Sequence, residues 1–145
     1  MPHRDDAVSL YAPMLDRVRQ VAGIRKTLGA ADFALIQKPQ VTPTVWVLPL
    51  GIEVEPGDVI DTETESYLIV TADRSVHDPT GEKALNQALM VSANIRAVLD
   101  GWQPDQCSEP VRYVRGGVEN FDDGVIWWAD EYVATLTTRS PELQR

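Results

Sequence analysis

The sequence predicts an α+β fold: a mostly antiparallel β-sheet, two main helices packed on one side of it, and a long C-terminal β-hairpin. Three observations predict this class. Two stretches carry apolar residues at helical spacing, several runs are rich in β-branched and aromatic residues, and an Asp-Gly turn joins the last two runs. The order helix, strands, helix, two strands is typical of α+β proteins.

Length and composition predict a single domain over residues 1–145, with polar and flexible ends at 1–8 and 140–145. A chain of 145 residues can bury enough surface for one hydrophobic core without a disulfide or a metal. Its hydrophobic share of 43% is typical of a globular protein and not of a disordered one.

The first predicted helix spans 9–22 and is followed by Gly23, which favours a helix end. Its apolar stripe is formed by Val8, Tyr11, Leu15, Val18 and Ala22. A short strand over 24–28 and a helical turn over 30–36 follow. Residues 41–50 predict a strand buried on both faces, because its centre is continuously apolar.

Residues 51–64 predict a long acidic loop with a turn at Pro56-Gly57-Asp58, followed by a strand over 66–72. The main helix is predicted from Asp78-Pro79 to about Asp100, with Asp78 as its cap and Gly101 as its stop. Its apolar face is predicted to comprise Leu85, Ala88, Leu89, Ser92, Ile95, Val98 and Leu99.

The C-terminal hairpin is predicted to have arms at 111–120 and 125–139 joined by a turn at 121–124, where Asp-Gly tolerates positive φ angles. Near the turn, both faces of the second arm are apolar. One face carries Val125, Trp127, Ala129 and Val133, and the other carries Ile126, Trp128, Tyr132, Ala134 and Leu136. One face can pack on the helices, so we expect the other to need a partner chain or a further layer.

The charge balance argues against nucleic-acid binding by affinity, because the chain has 13 Lys and Arg but 22 Asp and Glu. Its net charge is −9. The one basic cluster is formed by Arg17, Arg19, Arg25 and Lys26 and overlaps a predicted helix, which favours a solvated helix face. A lone cysteine, no apparent signal peptide and no apolar run long enough for a bilayer predict a protein of a reducing cytoplasm without membrane contact.

The residues that could take part in metal binding or catalysis are better explained by structural roles. His77 with Asp73 and Asp78 could supply metal ligands, but a solvated loop with a helix cap is the favoured interpretation. Cys107 lies in a polar linker, and nothing in the sequence supports pairing with His77 as a nucleophile. We therefore predict no catalytic residues, no metal and no cofactor.

The remaining motifs are also explained by structure. Asp122-Asp123 fits the hairpin turn, and Asp130-Glu131 should point to opposite faces of a strand. Gly116-Gly117 is typical of a bulge or bend, and no phosphate-binding glycine loop is present in the sequence.

The chain resembles the tail terminator family of long-tailed bacteriophages. The resemblance lies in five segments, taken in order: 11–15, 45–49, 84–104, 112–117 and 122–132. Its most suggestive motifs are Gly101-Trp102-Gln103-Pro104 and Asp123-Gly124-Val125-Ile126-Trp127-Trp128, in combination and at this spacing. Together the segments cover roughly 10–139, nearly the whole chain.

The resemblance implies helices on one side of a sheet and a homohexameric ring on the head-proximal end of the tail tube. Such a ring stops tube polymerisation and offers a docking surface to the head connector. The implied partners are other copies of the chain, the tail tube protein and a head-completion or connector protein. The implied location is the virion, after assembly in the host cytoplasm.

Two groups of residues are candidate contacts in such a ring. Trp127, Val125 and Val133 would lie at the subunit seam, where tryptophan is enriched. Glu53, Glu55 and Asp58 would project from the acidic loop onto one ring face. A negative lumen would let DNA pass without specific binding.

Three alternatives remain open. One is a head-completion or neck protein that joins head and tail. Another is a small hydrolase or metal-dependent enzyme that uses His77. The last is a bacterial toxin or immunity component, which the acidic charge allows.

Overall fold

Within the residues that the structure describes, five strands form one sheet in the order β1-β2-β3-β5-β4, and three helices accompany it. The computed structural model describes residues 10–33, 39, 41–75 and 77–139. Its elements are α1 Tyr11–Arg19, β1 Lys26–Leu28, α2 Ala30–Phe33, β2 Thr44–Glu55, β3 Ile60–Arg74, α3 Glu82–Leu99, β4 Arg112–Asp122 and β5 Val125–Arg139. All neighbouring strands are antiparallel except the pair β1–β2, which confirms the α+β class.

The main hydrophobic core lies where α1 and α3 pack on one face of the sheet. It is built from Met14 and Val18 of α1, Val91, Ile95 and Leu99 of α3, and Val45, Val47, Tyr67, Ile69, Tyr132, Ala134 and Leu136 of the strands. Buried residues recur at three- and four-residue spacing along both helices, so each helix presents one apolar face to the sheet. We call the side of the sheet that they cover the helix face.

The first helix is shorter than predicted, since it ends at Arg19 and not at residue 22. Met14 is fully buried at the centre of its apolar face, whereas Ala22 is exposed. Val8 lies outside the described residues, as do the predicted flexible ends and residues 34–36 of the predicted helical turn.

The main helix begins at Glu82, later than the predicted Asp78-Pro79 start. Asp78 still contributes to its N-terminus, because its carboxylate accepts hydrogen bonds from the backbone N–H of Lys83 at 2.5 Å and of Thr80 at 3.1 Å. Leu89 was wrongly predicted to face the core, since it is 39% exposed and the buried residues centre on Ala88, Ser92 and Ile95 instead.

The predicted acidic loop at 51–64 is wrong. β2 continues to Glu55 and β3 begins at Ile60, so only 56–59 form the turn. The strands pair as far as Glu55 with Thr62, after a register shift between Pro49 and Gly51. Apolar and acidic residues alternate in this stretch, which is the pattern of a strand. The many charged residues made the stretch resemble a loop.

The C-terminal hairpin lies at one side of the sheet, with β4 as the edge strand. Asp123 and Gly124 form its turn with φ angles of 52° and 76°, and two positive values are typical of a type I′ hairpin turn. Register shifts occur between Tyr113 and Arg115 and between Val118 and Asn120, on both sides of the glycine pair where one bulge was expected.

Candidate assembly surfaces

The apolar face of the hairpin that the helices leave open is partly covered within the chain. Trp127 stacks on Trp46 of β2 with ring centroids 5.3 Å apart and planes inclined by 28°. Ala72, on the strand between them, is small enough to leave room for the two rings. We call this side of the sheet the open face. Near the hairpin turn, other residues of the same chain cover the open face more completely than the sequence predicted.

The three hairpin residues that the sequence placed at a seam have different environments. Val125 is only 1% exposed, so its side chain offers no surface to a partner in this structure. Trp127 and Val133 are half-buried and keep some accessible surface. Trp128 lies on the opposite face, packed near Ala84, Ala88 and Ile126, so the two tryptophans diverge as strand alternation requires.

A buried carboxylate holds the hairpin to the main helix. Asp130 is fully buried and accepts hydrogen bonds from Ser92 Oγ at 2.6 Å, Tyr113 Oη at 2.9 Å and Trp128 Nε1 at 2.8 Å. Burial and the bond to Asp130 raise the pKa of Tyr113 to about 12. The Arg96 guanidinium lies over the same tyrosine ring, 4.1 Å from its centroid.

This cluster was not predicted from the sequence, because its members are spread over 38 positions and three elements. The one available signal was an aspartate within an apolar stretch of a strand, since a buried charge needs donors around it. Three donors bind the carboxylate of Asp130, so it links α3, β4 and β5. We call Asp130 with Ser92, Tyr113 and Trp128 the clamp.

The largest apolar exposure lies at the far end of the β2–β3 hairpin. We call residues 50–65 the arm. Its exposed apolar residues are Leu50, Ile52, Val54, Val59 and Ile60, each between 48% and 57% accessible. Glu53, Glu55 and Asp58, predicted to project to a surface, are exposed on this arm. The exposed residues of the arm therefore form a surface that is both apolar and acidic.

The β4 edge is a second accessible surface. Val114, Val118 and Phe121 are 41% to 50% exposed along it. Arg112 and Arg115 are exposed as well, and Arg115 forms an ion pair with Glu131 at 3.2 Å. This edge is apolar and basic near its start, whereas the arm is apolar and acidic.

A shallow groove of about 370 Å³ lies between the arm and the start of α1. It is lined by Tyr11, Pro49, Leu50, Gly51, Ile52, Glu65, Ser66 and Tyr67. Tyr67 Oη donates a hydrogen bond of 2.5 Å to Glu65 Oε1, and burial raises the pKa of both groups. A phenol and a carboxyl whose charged forms are both disfavoured provide no activated nucleophile.

The structure describes the residues that were considered for metal binding or catalysis. His77 is exposed in the turn before α3, while Asp73 is 2% exposed and accepts the backbone N–H of Arg74 at 2.7 Å. Burial raises the pKa of Cys107 to about 11, so its thiol is protonated near neutral pH. The described residues contain no group of three metal-binding side chains.

No helix in the described part of the chain is both long enough and apolar enough to cross a membrane.

Both the sequence and the fold of the chain have matches among known proteins. The chain matches the family described as phage tail terminator protein over residues 8–142. It is also similar to a chain of the structure described as "Virion of native gene transfer agent (GTA) particle", with 9% identity and a TM-score of 0.54 over 91% of this chain and 90% of that one. At this identity the likeness concerns the fold alone. No curated protein matches the chain. Because the family match extends over nearly all of its length, the chain belongs to the phage tail terminator family.

Proposed function

We propose that the protein forms a homohexameric ring that caps the tail tube, stops its polymerisation and provides the docking surface for the head connector. The observation that carries this proposal is the family match over residues 8–142, which includes all the helices and strands in the described part of the chain. In this account the protein is a structural component of the phage tail and has no enzymatic activity.

The distribution of exposed apolar residues supports assembly as the function. They are concentrated on the arm and the β4 edge, at opposite sides of one sheet. A single 16.1 kDa subunit leaves both surfaces in water, whereas neighbouring molecules in a ring or tube would cover them. The clamp around Asp130 connects the β4 edge to the helix layer by hydrogen bonds from Tyr113 and Ser92.

The proposed partners follow from this role: other copies of the chain, the tail tube protein and a head-completion or connector protein. We place the ring at the head-proximal end of the tail, after assembly in the host cytoplasm. The net charge of −9 suits a channel through which DNA passes without specific binding, because like charges repel along the wall.

Tube assembly in vitro tests the proposal. Purified tail tube protein would be polymerised with and without this chain, and tube lengths and the position of the gold-labelled chain would be recorded by electron microscopy. We expect label at one tube end and shorter tubes as the chain is added. Label along the tube walls, or unchanged lengths at saturating chain, would contradict capping.

Cryo-electron microscopy of the virion distinguishes the alternative of a head-completion or neck protein. A tail terminator should contact the last ring of tube protein directly. Density for this chain on the head side, separated from the tube by another protein, would favour the head–tail joining role instead.

A further inference from the structure

We propose that neighbouring subunits join by strand addition: the outer edge of β2 in the arm of one copy pairs antiparallel with β4 of the next copy. This inference rests on the proposed ring and specifies its seam. It follows from four properties of the two surfaces: open backbone, strand direction, matched faces and opposite charge.

Both strands have an open backbone edge. β1 pairs with β2 only from Thr44 to Trp46, so the outer edge of β2 beyond that point has no partner strand in the described part of the chain. β4 is the last strand on the other side, and it pairs only with β5. Open edges of this kind are ready to accept another strand.

The strand directions agree with pairing between copies. β2, β3, β5 and β4 are successively antiparallel, so β4 runs opposite to β2 within one subunit. If ring symmetry places the next copy beside the first in the same orientation, its β2 meets β4 antiparallel. This is the pairing with the better-aligned hydrogen bonds.

The faces of the two edges also match. Glu53 and Glu55 pair with Thr64 and Thr62, which places them on the open face. Arg112 pairs with Val133 and Arg115 with Glu131, which places both arginines on that same face. They share a face although they are three residues apart, because the register shift at Val114 inserts one residue between them.

A single register therefore brings both charge pairs together. If Glu55 lies opposite Arg112, the irregularity at Val114 brings Arg115 opposite Glu53. The Arg115 side chain is 79% exposed despite its ion pair with Glu131, and its guanidinium has donors for a second carboxylate. The helix-face residues Ile52 and Val54 then lie beside the same face of β4.

The same charges disfavour other pairings. Two arms placed edge to edge would oppose glutamate with glutamate, and two β4 strands would oppose arginine with arginine. The self-complementary contacts that close a dimer are therefore penalised, whereas the arm-to-β4 contact is favoured. A contact between two different surfaces of the same chain generates a ring when its rotation closes.

The register also implies a stagger. Through β3, Glu55 is level with Thr137 of β5, whereas Arg112 is level with Val133. Each copy is thus displaced by four residues along the strand direction relative to its neighbour. Strands in a sheet closed by such a stagger tilt relative to the ring axis, as in β-barrels.

Disulfide trapping tests the seam. In a Cys107→Ser background, Glu55→Cys and Arg112→Cys would be combined in one chain and oxidised with tail tube protein present. Paired residues on neighbouring antiparallel strands have Cα atoms roughly 4.5–5.5 Å apart, within disulfide reach. Within one chain the two positions lie on strands separated by three strand spacings, about 14 Å or more, so an internal disulfide is excluded. We expect a non-reducing ladder at multiples of 16.1 kDa.

Controls separate the seam from the ring itself. Asp16→Cys with Arg112→Cys, both exposed, should give no ladder. Glu55→Arg should weaken the ring seen on tube ends by electron microscopy, and adding Arg112→Glu should restore it. A ring without the ladder, or without this rescue, would overturn the seam and leave the ring intact. Absence of any ring on the tube in the unmodified protein would overturn the proposed function as well.

Discussion

The two halves of β2 differ in what surrounds them. From Thr44 to Val47 every residue is buried, between the helices on one side and the tryptophan stack on the other. From Leu50 to Glu55 every residue is exposed, although the strand continues and its pairing with β3 is maintained. One strand therefore belongs to the core at its start and to a surface at its end.

This difference separates folding from assembly. The base of the sheet, where α1 and α3 cover it, contains the buried apolar surface that stabilises the chain. The arm adds backbone pairing but leaves five large apolar side chains in water. Substitutions in the base should therefore change stability, and substitutions of the exposed arm residues should change assembly.

The largest effect on stability is expected at Asp130. Replacement by alanine would leave Ser92, Tyr113 and Trp128 without their common acceptor and should destabilise the fold by about 3–5 kcal/mol. The neighbouring Glu131→Ala removes only a partly exposed ion pair and should cost about 1 kcal/mol or less. Urea denaturation compares the two, and equal losses would refute the clamp.

A matched pair of valines in β2 tests the comparison directly. Val47 is fully buried and Val54 is 48% exposed. Val47→Ala should cost roughly 2 kcal/mol, from about 0.8 kcal/mol per buried CH₂ and a cavity term, whereas Val54→Ala should stay within about 0.5 kcal/mol. If thermal or chemical unfolding shows similar losses for both, the arm contributes to the core and the distinction fails.

Two adjacent glycines provide a second matched pair. A Cβ on Gly116 would lie 2.3 Å from both Asp130 Oδ1 and Tyr113 Oη, while a Cβ on Gly117 would meet nothing within 4 Å. Gly116→Ala should therefore destabilise the protein by about 1–3 kcal/mol, and Gly117→Ala should be near neutral. A neutral Gly116→Ala, measured by unfolding midpoint, would show that the clamp tolerates displacement.

The smallest effect concerns Glu65 and depends on pH. Burial raises the pKa of its carboxyl above the ordinary 4.5, so the protonated form is favoured in the folded state. Its contribution to stability is fully present below pH 4.5 and is lost as the pH rises through the raised pKa.

Glu65→Gln retains an acceptor for the Tyr67 hydroxyl and has no charge to desolvate. We expect this variant to be more stable than the unmodified chain above the raised pKa, with the gain disappearing towards pH 4.5. Urea midpoints across this range measure the gain. A difference that does not change with pH would contradict the assignment.

The sequence predicted the elements whose signals are local. The Asp123-Gly124 turn and the apolar face around Ile95 were identified because turn conformation and helical spacing depend on residues that are close in sequence. The arm was mistaken for a loop, because the glutamates beside Ile52 and Val54 resemble loop composition when the pairing partner is unknown.

The candidate surfaces were harder to predict, because they depend on contacts between distant residues. The stacking of Trp46 on Trp127 reduced the apolar surplus expected on the hairpin, and the arm supplied a larger one. The acidic positions Glu53 and Glu55 were identified as accessible, but their side of the strand became clear only from the register with β3. Their role at an interface remains a proposal.

The most direct test of the account is tube capping by an arm variant that still folds. Ile52→Ser combined with Val54→Ser removes exposed apolar surface and leaves the core residues unchanged. We predict an unfolding midpoint close to that of the unmodified chain and loss of the capped tube ends seen by electron microscopy. A variant that caps tubes as well as the unmodified chain would contradict the claim that the arm is an assembly surface.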